Sequence, residues 1–289
     1  MTSVRAAAVV VIAALFGAAC SGQPSPIATS APDDPGVGHI HGLGVDPADG
    51  SIYLAGHYGL FQVRSPQSAV RVADRIADHM GFTVVGPKTF LASGHPGAAE
   101  MSTGGAPHLG LIRTTDAGAS WSPVSEAGVA DFHAIQPAGS SLYAYDSQTS
   151  RVRRSTDGGR TWVQGAQMQV ADLAGNAVQP DRVYATTPDG LQVSEDGGAS
   201  FTVLPTAPLL SHVDAPTKNA LVGVGADGQV HTSKDAGKTW QATGEISGQV
   251  TAFTAVDGQR LLAALAEGTV VESRNAGTDF SVAYRPAQS

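Results

Sequence analysis

Nine histidines are spread over the 289 residues, and seven of them (His39, His41, His57, His79, His95, His108 and His133) fall in the first half. An imidazole changes charge near neutral pH and is a good ligand for Zn, Cu, Fe or Ni. His39 and His41 are two apart, so on a strand they face the same way. Glu100 and Asp131 are nearby carboxylates, and Met101 offers a soft sulfur. Two readings follow. In one, His39, His41, His57, His95, His108 and His133 converge on a metal or polar ligand, with Zn or Cu as the candidate ion. In the other, these histidines hydrogen-bond backbone at crowded strand ends. The chain has no His-x-x-x-His or Cys-x-x-Cys spacing that would decide between them. A purely structural role should recur along the whole chain, and the histidines do not. A nucleophilic site has less support, because Ser93-Gly-His95 is not a Gly-x-Ser-x-Gly elbow and there is one cysteine, Cys20.

The elements that position these residues are repeated. Ser155-Thr-Asp-Gly-Gly-Arg-Thr-Trp162 has counterparts starting at Thr114, Ser194, Ser233 and, in worn form, Ser273. The period of about 40 residues is that of propeller blades and similar arrays. Between the turns run short stretches of alternating apolar and polar residues, such as Phe132 to Pro137, Ser141 to Tyr145 and Arg151 to Ser155. Two further units lie upstream: one without the turn, from Ile40, and one from Phe82 that carries an insertion, Gly94 to His108. Six four-stranded units predict an all-β, six-bladed β-propeller of antiparallel blades, with seven blades the alternative. Each unit's first strand would line the channel, which puts His39, His41, His79 and His133 at its mouth. No terminal strand is identifiable as donated to the blade at the other end.

The turn itself reads as structural. Asp116, Asp157, Asp196 and Asp235 are each placed to accept backbone N–H groups from the residues after them. Trp121, Trp162, Phe201 and Trp240 follow at a fixed offset and should bury apolar area between blades. Ala117, Ala236 and Ala276 stand where Ser155's copy has its first glycine, so the second glycine is the one the geometry needs. The staggered carboxylates of a calcium loop are missing.

Across the chain, 17 Lys and Arg against 25 Asp and Glu give a formal charge of −8, which argues against nucleic-acid binding. Arg5 precedes a 14-residue apolar run, Ala6 to Ala19, that is too short to span a bilayer. Small residues lead into Cys20, and the whole reads as a secretory signal. Residues 21–38 are rich in Pro, Ser and Ala and read as a disordered tether. The expected division is therefore a signal over 1–20, a tether over 21–38 and the propeller over 39–289.

The run ending Gly17-Ala18-Ala19-Cys20 resembles the bacterial lipoprotein signal, which implies lipidation of Cys20 and anchoring outside the cell membrane. The repeated turn resembles the Asp-box, or BNR repeat, of sialidases and many other propellers, where it is structural and lies away from the active site. Sialidases carry an Arg-Ile-Pro motif near the N-terminus and bind a carboxylate with three arginines. This chain has Gly36-Val-Gly-His-Ile-His-Gly42 instead, so no catalytic residue carries over. As a whole the chain resembles bacterial Asp-box propeller lipoproteins labelled glycosyl hydrolase-like by similarity. The residues that carry this are His39-Ile-His-Gly-Leu-Gly44, His57-Tyr-Gly-Leu-Phe61, Met80-Gly-Phe-Thr-Val84, Ser93-Gly-His-Pro96, His108-Leu-Gly-Leu-Ile112 and Asp131-Phe-His-Ala134. More distantly it resembles the photosystem II assembly and sortilin propellers, which bind proteins or peptides. The resemblance implies a non-enzymatic binding module for a protein, glycan or metal, with a glycoside or metal-assisted hydrolase as the alternative.

Overall fold

The computed structural model describes residues 34–287. Cys20, the signal over 1–20 and most of the tether over 21–38 lie outside the described residues. Those described form six sheets of four antiparallel strands, each sheet a contiguous stretch of chain. The fold is a six-bladed β-propeller, as the repeat count predicts. The first strands are Ile40–Val45, Ala77–Gly86, Phe132–Ala138, Asp172–Gly175, Leu210–Asp214 and Val250–Ala255, and they stand side by side around the axis. Among the described residues the ring closes without an exchanged strand. Arg285 N–H donates to Pro66 O at 2.8 Å, tying the last blade to the first.

The core is divided among the interfaces between consecutive blades. Between blades 2 and 3, Leu91, Leu111, Phe132 and Leu142 pack with Trp162. Between blades 1 and 2, Tyr53, Leu60, Phe82 and Phe90 pack with Trp121. Phe201, Trp240 and Phe280 serve the later interfaces in the same way. At the closing interface blade 1 has no signature turn, and Val37, Ile40, Phe61, Val270 and Tyr284 fill the space. Val37 lies in the stretch read as tether, so the packed structure reaches back at least two residues further than the sequence suggests. Each fully buried aromatic contributes about 1.5–3 kcal/mol by leaving water.

The signature turns are built alike. Asp157 accepts hydrogen bonds from Arg160 N (2.9 Å), Thr161 N (3.0 Å), Thr161 Oγ1 (2.7 Å) and Ser155 Oγ (2.8 Å), while Ser155 Oγ accepts from Gly159 N at 2.8 Å. Trp162 Nε1 then reaches Ser125 Oγ of the preceding blade at 3.0 Å. Both central positions are left-handed, but they differ in room. Ala117, Ala236 and Ala276 hold φ of 60°, 60° and 58°, inside the well that an L-residue can reach. The second position runs from 83° to 92°, and a Cβ on Gly159 would lie 2.2 Å from Leu111 Cδ2. Close packing as well as backbone angle therefore keeps that position glycine.

Candidate functional site

Backbone register explains where the histidines go. In blade 1, Ile40 pairs with Gly56 and Gly42 with Ala55, leaving His41 as an extra residue between them. The same shift leaves Met80 in blade 2, His133 in blade 3, Ser211 in blade 5 and Thr251 in blade 6. A bulge of this kind re-aims one side chain out of the regular alternation. The residue just before the bulge points into the blade core: Ile40, His79, Phe132 and Leu210 are all buried. One residue earlier are His39, Asp78 and Asp131. The residue leaving the second strand opposite them is His57, His95 or Ser147. The equivalence shows in the backbone: His57 N donates to His39 O (3.2 Å), Ser147 N donates to Asp131 O (3.0 Å), and His95 pairs with Asp78.

This register corrects one expectation. His79 does not open onto the channel. It occupies the core position, 1% exposed, with its ring centroid 5.4 Å from that of Trp121. Burial, with Arg75 adding to it, holds its pKa down to about 3, so it stays neutral.

The other six predicted histidines gather at one end of the channel. The ring centroids of His39, His41 and His57 are 4.7–5.5 Å apart, and those of His95 and His108 are 5.4 Å apart. Two groups of potential ligand atoms form, each within 4.8 Å: His41, His57 and Asp78, and His95, His108 and Asp131. His41 Nε2 lies 3.7 Å from Asp78 Oδ1, and His95 Nδ1 lies 3.7 Å from Asp78 Oδ2. His95 Nε2 is 3.3 Å from Asp131 Oδ2, and His133 Nε2 is 3.0 Å from the same oxygen. Ser147 Oγ also donates to that oxygen at 3.0 Å. The Asp131 side chain is only 3% exposed, yet its other oxygen has no partner.

That orphaned oxygen belongs to a pattern. Among the described residues, seven buried side-chain nitrogen or oxygen atoms lack a hydrogen-bond partner, and four of them are His41 Nε2, Asp78 Oδ1, His108 Nδ1 and Asp131 Oδ1. Buried polar atoms are nearly always paired, and an unpaired one calls for an explanation such as a bound ion or water. Electrostatics agree. Burial, then the neighbouring His39, His57, His133 and His95, hold the His41 pKa down to about 4, so its lone pair is free at neutral pH. Burial alone would raise Asp131, but the hydrogen bond from His133 and the nearby imidazoles outweigh it and keep its pKa low. The site therefore offers the neutral imidazole of His41 and the ionised carboxylate of Asp131.

Of the other candidates, Asp131 joins the site and Glu100 and Met101 do not. Glu100 is bound by Arg75 at 2.7 Å, and Met101 is exposed on the short helix Ala98–Ser102. His39 and His133 flank the two groups without belonging to either. Asp78 was missed from the sequence. Its signal was its place two residues before the Met80-Gly81 pair, matching His39 before His41-Gly42.

Below the mouth lies a cavity of about 220 Å³, lined by His41, Met80, His133, Asp172, His212 and Thr251. Its carboxylate is a fastener. Asp172 accepts Val213 N–H of the next blade at 3.0 Å, and Asp214 likewise accepts Ala255 N–H at 2.8 Å. Burial, helped by Asp214, pushes Asp172 up to about 8.

No protein-family model matches the chain. A dispase autolysis-inducing protein from Streptomyces mobaraensis is 27% identical over 139 residues, which is 46% of this chain and 37% of that one. The match thus spans little more than a third of that relative's length. Among solved structures, a chain of the nidogen/laminin complex superposes with a TM-score of 0.61 at 12% identity, over 81% of this chain and 93% of that one. A GH74 xyloglucanase from Xanthomonas campestris gives 0.54 at 17%, over 85% and 45%. YCF48 bound to a D1 peptide gives 0.52 at 14%, over 86% and 83%. At these identities the likeness concerns the fold, and it is the fold described above: a β-propeller.

Proposed function

We propose that this protein is a binding propeller whose ligand at the histidine-rich end of the channel is a transition-metal ion, and that a lipid on Cys20 tethers it outside the membrane. The observation that carries the metal reading is the set of four orphaned atoms. His41 Nε2 and Asp78 Oδ1 face each other at 3.7 Å, too far for a hydrogen bond. Bonds of about 2.0–2.1 Å to a tetrahedral ion place ligand atoms about 3.3–3.5 Å apart. The spacing at this end is close to what ligands of a shared ion need. Mixed imidazole and carboxylate donors suit Zn or Cu. The repeated turn keeps the hydrogen bonding that an Asp-box would have, which supports reading it as a blade fastener with no part in the site.

The test is uptake of Zn²⁺ and Cu²⁺ by purified, chelator-stripped protein, read by metal analysis after gel filtration. Retention of metal by the wild type and its loss in a His41→Ala, His108→Ala double variant are expected. Absence of uptake, or uptake equal in the variant, would overturn the reading. The tether is tested by lipid labelling, which Cys20→Ala should abolish.

A second reading has one observation behind it. Three protein ligands leave a fourth position for water, as in catalytic zinc sites, so metal-assisted hydrolysis is chemically available. Metal-dependent turnover of ester or glycoside substrates by the zinc-loaded protein would favour it over simple binding.

A further inference from the structure

The two groups of ligand atoms are copies of one another. In each, a histidine leaving the second strand of one blade meets the carboxylate that opens the first strand of the next: His57 with Asp78, and His95 with Asp131. The third donor comes from the earlier blade of each pair. In blade 1 it is the bulge residue His41. In blade 2 the bulge residue is Met80, and the insertion supplies His108 instead. Each group contains one buried imidazole nitrogen and one buried carboxylate oxygen without a partner. Blade 3 leaves its second strand with Ser147 in place of a histidine, and its hydroxyl is used up on Asp131.

We propose that these are two separate metal sites, one at each of two successive blade interfaces, each taking one divalent transition-metal ion on two imidazoles and one carboxylate. The proposal rests on the metal-binding reading above and deepens it. One shared ion does not fit the geometry. His95 lies between the carboxylates, with Nδ1 toward Asp78 and Nε2 toward Asp131. The two nitrogens of an imidazole point away from each other, so an ion on one cannot reach the carboxylate facing the other with bonds near 2 Å. Asp78 presents one oxygen to His41 and the other to His95. It therefore belongs to the first site, and its second oxygen, 3.7 Å from the ring that serves the second, would take the part an outer carboxylate plays for a metal-bound histidine once the two close to hydrogen-bond distance on metal binding.

Co²⁺ titration of the purified, chelator-stripped protein, followed by visible absorbance and by Zn²⁺ displacement, tests this. The wild type should bind two equivalents in two resolved steps, because two dications share the charge of Asp78. His57→Ala and His108→Ala should each bind one, and the double variant none. Asp78→Asn should remove the first equivalent and weaken the second about tenfold, whereas His57→Ala should leave the second near its wild-type affinity. Glutamine replaces alanine at either histidine should a variant fail to fold by circular dichroism. One equivalent in the wild type, lost in both single variants, would overturn the two-site proposal and leave metal binding standing. No uptake at all would overturn both.

Discussion

Blades 1 to 3 and blades 4 to 6 are built on one plan and put it to different uses. In blades 5 and 6 the bulge residues are Ser211 and Thr251, and the residues before the pre-bulge core position are Leu209 and Gln249. In blades 1 to 3 the same positions hold His41, Met80 and His133, preceded by His39, Asp78 and Asp131. The later blades keep the regular turns. Blade 1 lacks the turn, and blade 2 keeps it and adds an insertion. The backbone device, a one-residue bulge at the channel end, is present in blades 1, 2, 3, 5 and 6, while the first strand of blade 4 pairs in unbroken register. Only the side chain placed on it differs. A repeat thus supplies a set of equivalent perches, and chemistry is added by changing residues there without disturbing the packed faces.

Substitutions in the two sets of blades should separate stability from the proposed metal binding. The largest stability effect belongs to the turn. Gly159→Ala combines a left-handed φ of 88° with a Cβ 2.2 Å from Leu111 Cδ2. It should cost about 2–4 kcal/mol in urea unfolding. Gly158→Ala, by contrast, enters a position where three other copies already have alanine and should change stability by about 1 kcal/mol or less. Equal losses in the two variants would show that sterics do not distinguish the two positions.

Next is Ser194→Ala in blade 4, which removes the acceptor for the buried Gly198 N–H at 2.8 Å. A loss of about 1–2 kcal/mol is expected, with metal affinity unchanged. His57→Ala should show the reverse, because His57 is an exposed residue just past the end of a strand. Stability within about 0.5 kcal/mol of wild type and a reduced metal content are the expected outcome. If both variants moved both readouts together, the division between fastening and binding blades would fail.

The smallest effect is on pH dependence, and its sign differs between two sets of aspartates. Asp116, Asp196 and Asp235 are lowered to about 2, chiefly by hydrogen bonds from Ser120, Ser200 and Thr239. Their folded-state pKa lies below the unfolded one, so their contribution is complete above about 4 and is lost as pH falls toward 2. Asp172 is raised to about 8 by burial, so its contribution is complete below the ordinary carboxylate value and is lost as pH rises toward 8. Thermal midpoints recorded from pH 3 to 9 should therefore fall at both ends, and Asp172→Asn should flatten the alkaline side. An alkaline limb unchanged in that variant would assign it to other groups.

The turns and the alternating stretches were legible because they are local. Each copy of Ser155 to Trp162 bonds mainly to itself, and each strand's apolar face is written along a few consecutive residues. Six blades could be counted from that. The site was legible only as an excess of histidine. His79 illustrates why. It sits beside one of the site's carboxylates, Asp78, in sequence and reads like His41, but it occupies the register position before the bulge and is turned into the core against Trp121. Asp78, its neighbour, is turned the other way and joins the site. A shift of one residue decides between core and channel, and no residue type announces it.

The number of blades and the faces that pack are written locally in the chain, because period-2 patterning and turn chemistry act over a handful of neighbouring residues. Tertiary structure decided which side chains meet. His57 reaches Asp78, and His95 reaches Asp131, because consecutive blades bring the exit of one second strand beside the entrance of the next first strand, and the bulge there sets which way each side chain points. Those contacts depend on ring closure and on register, which are properties of the assembled sheet and are not carried by any one stretch of chain.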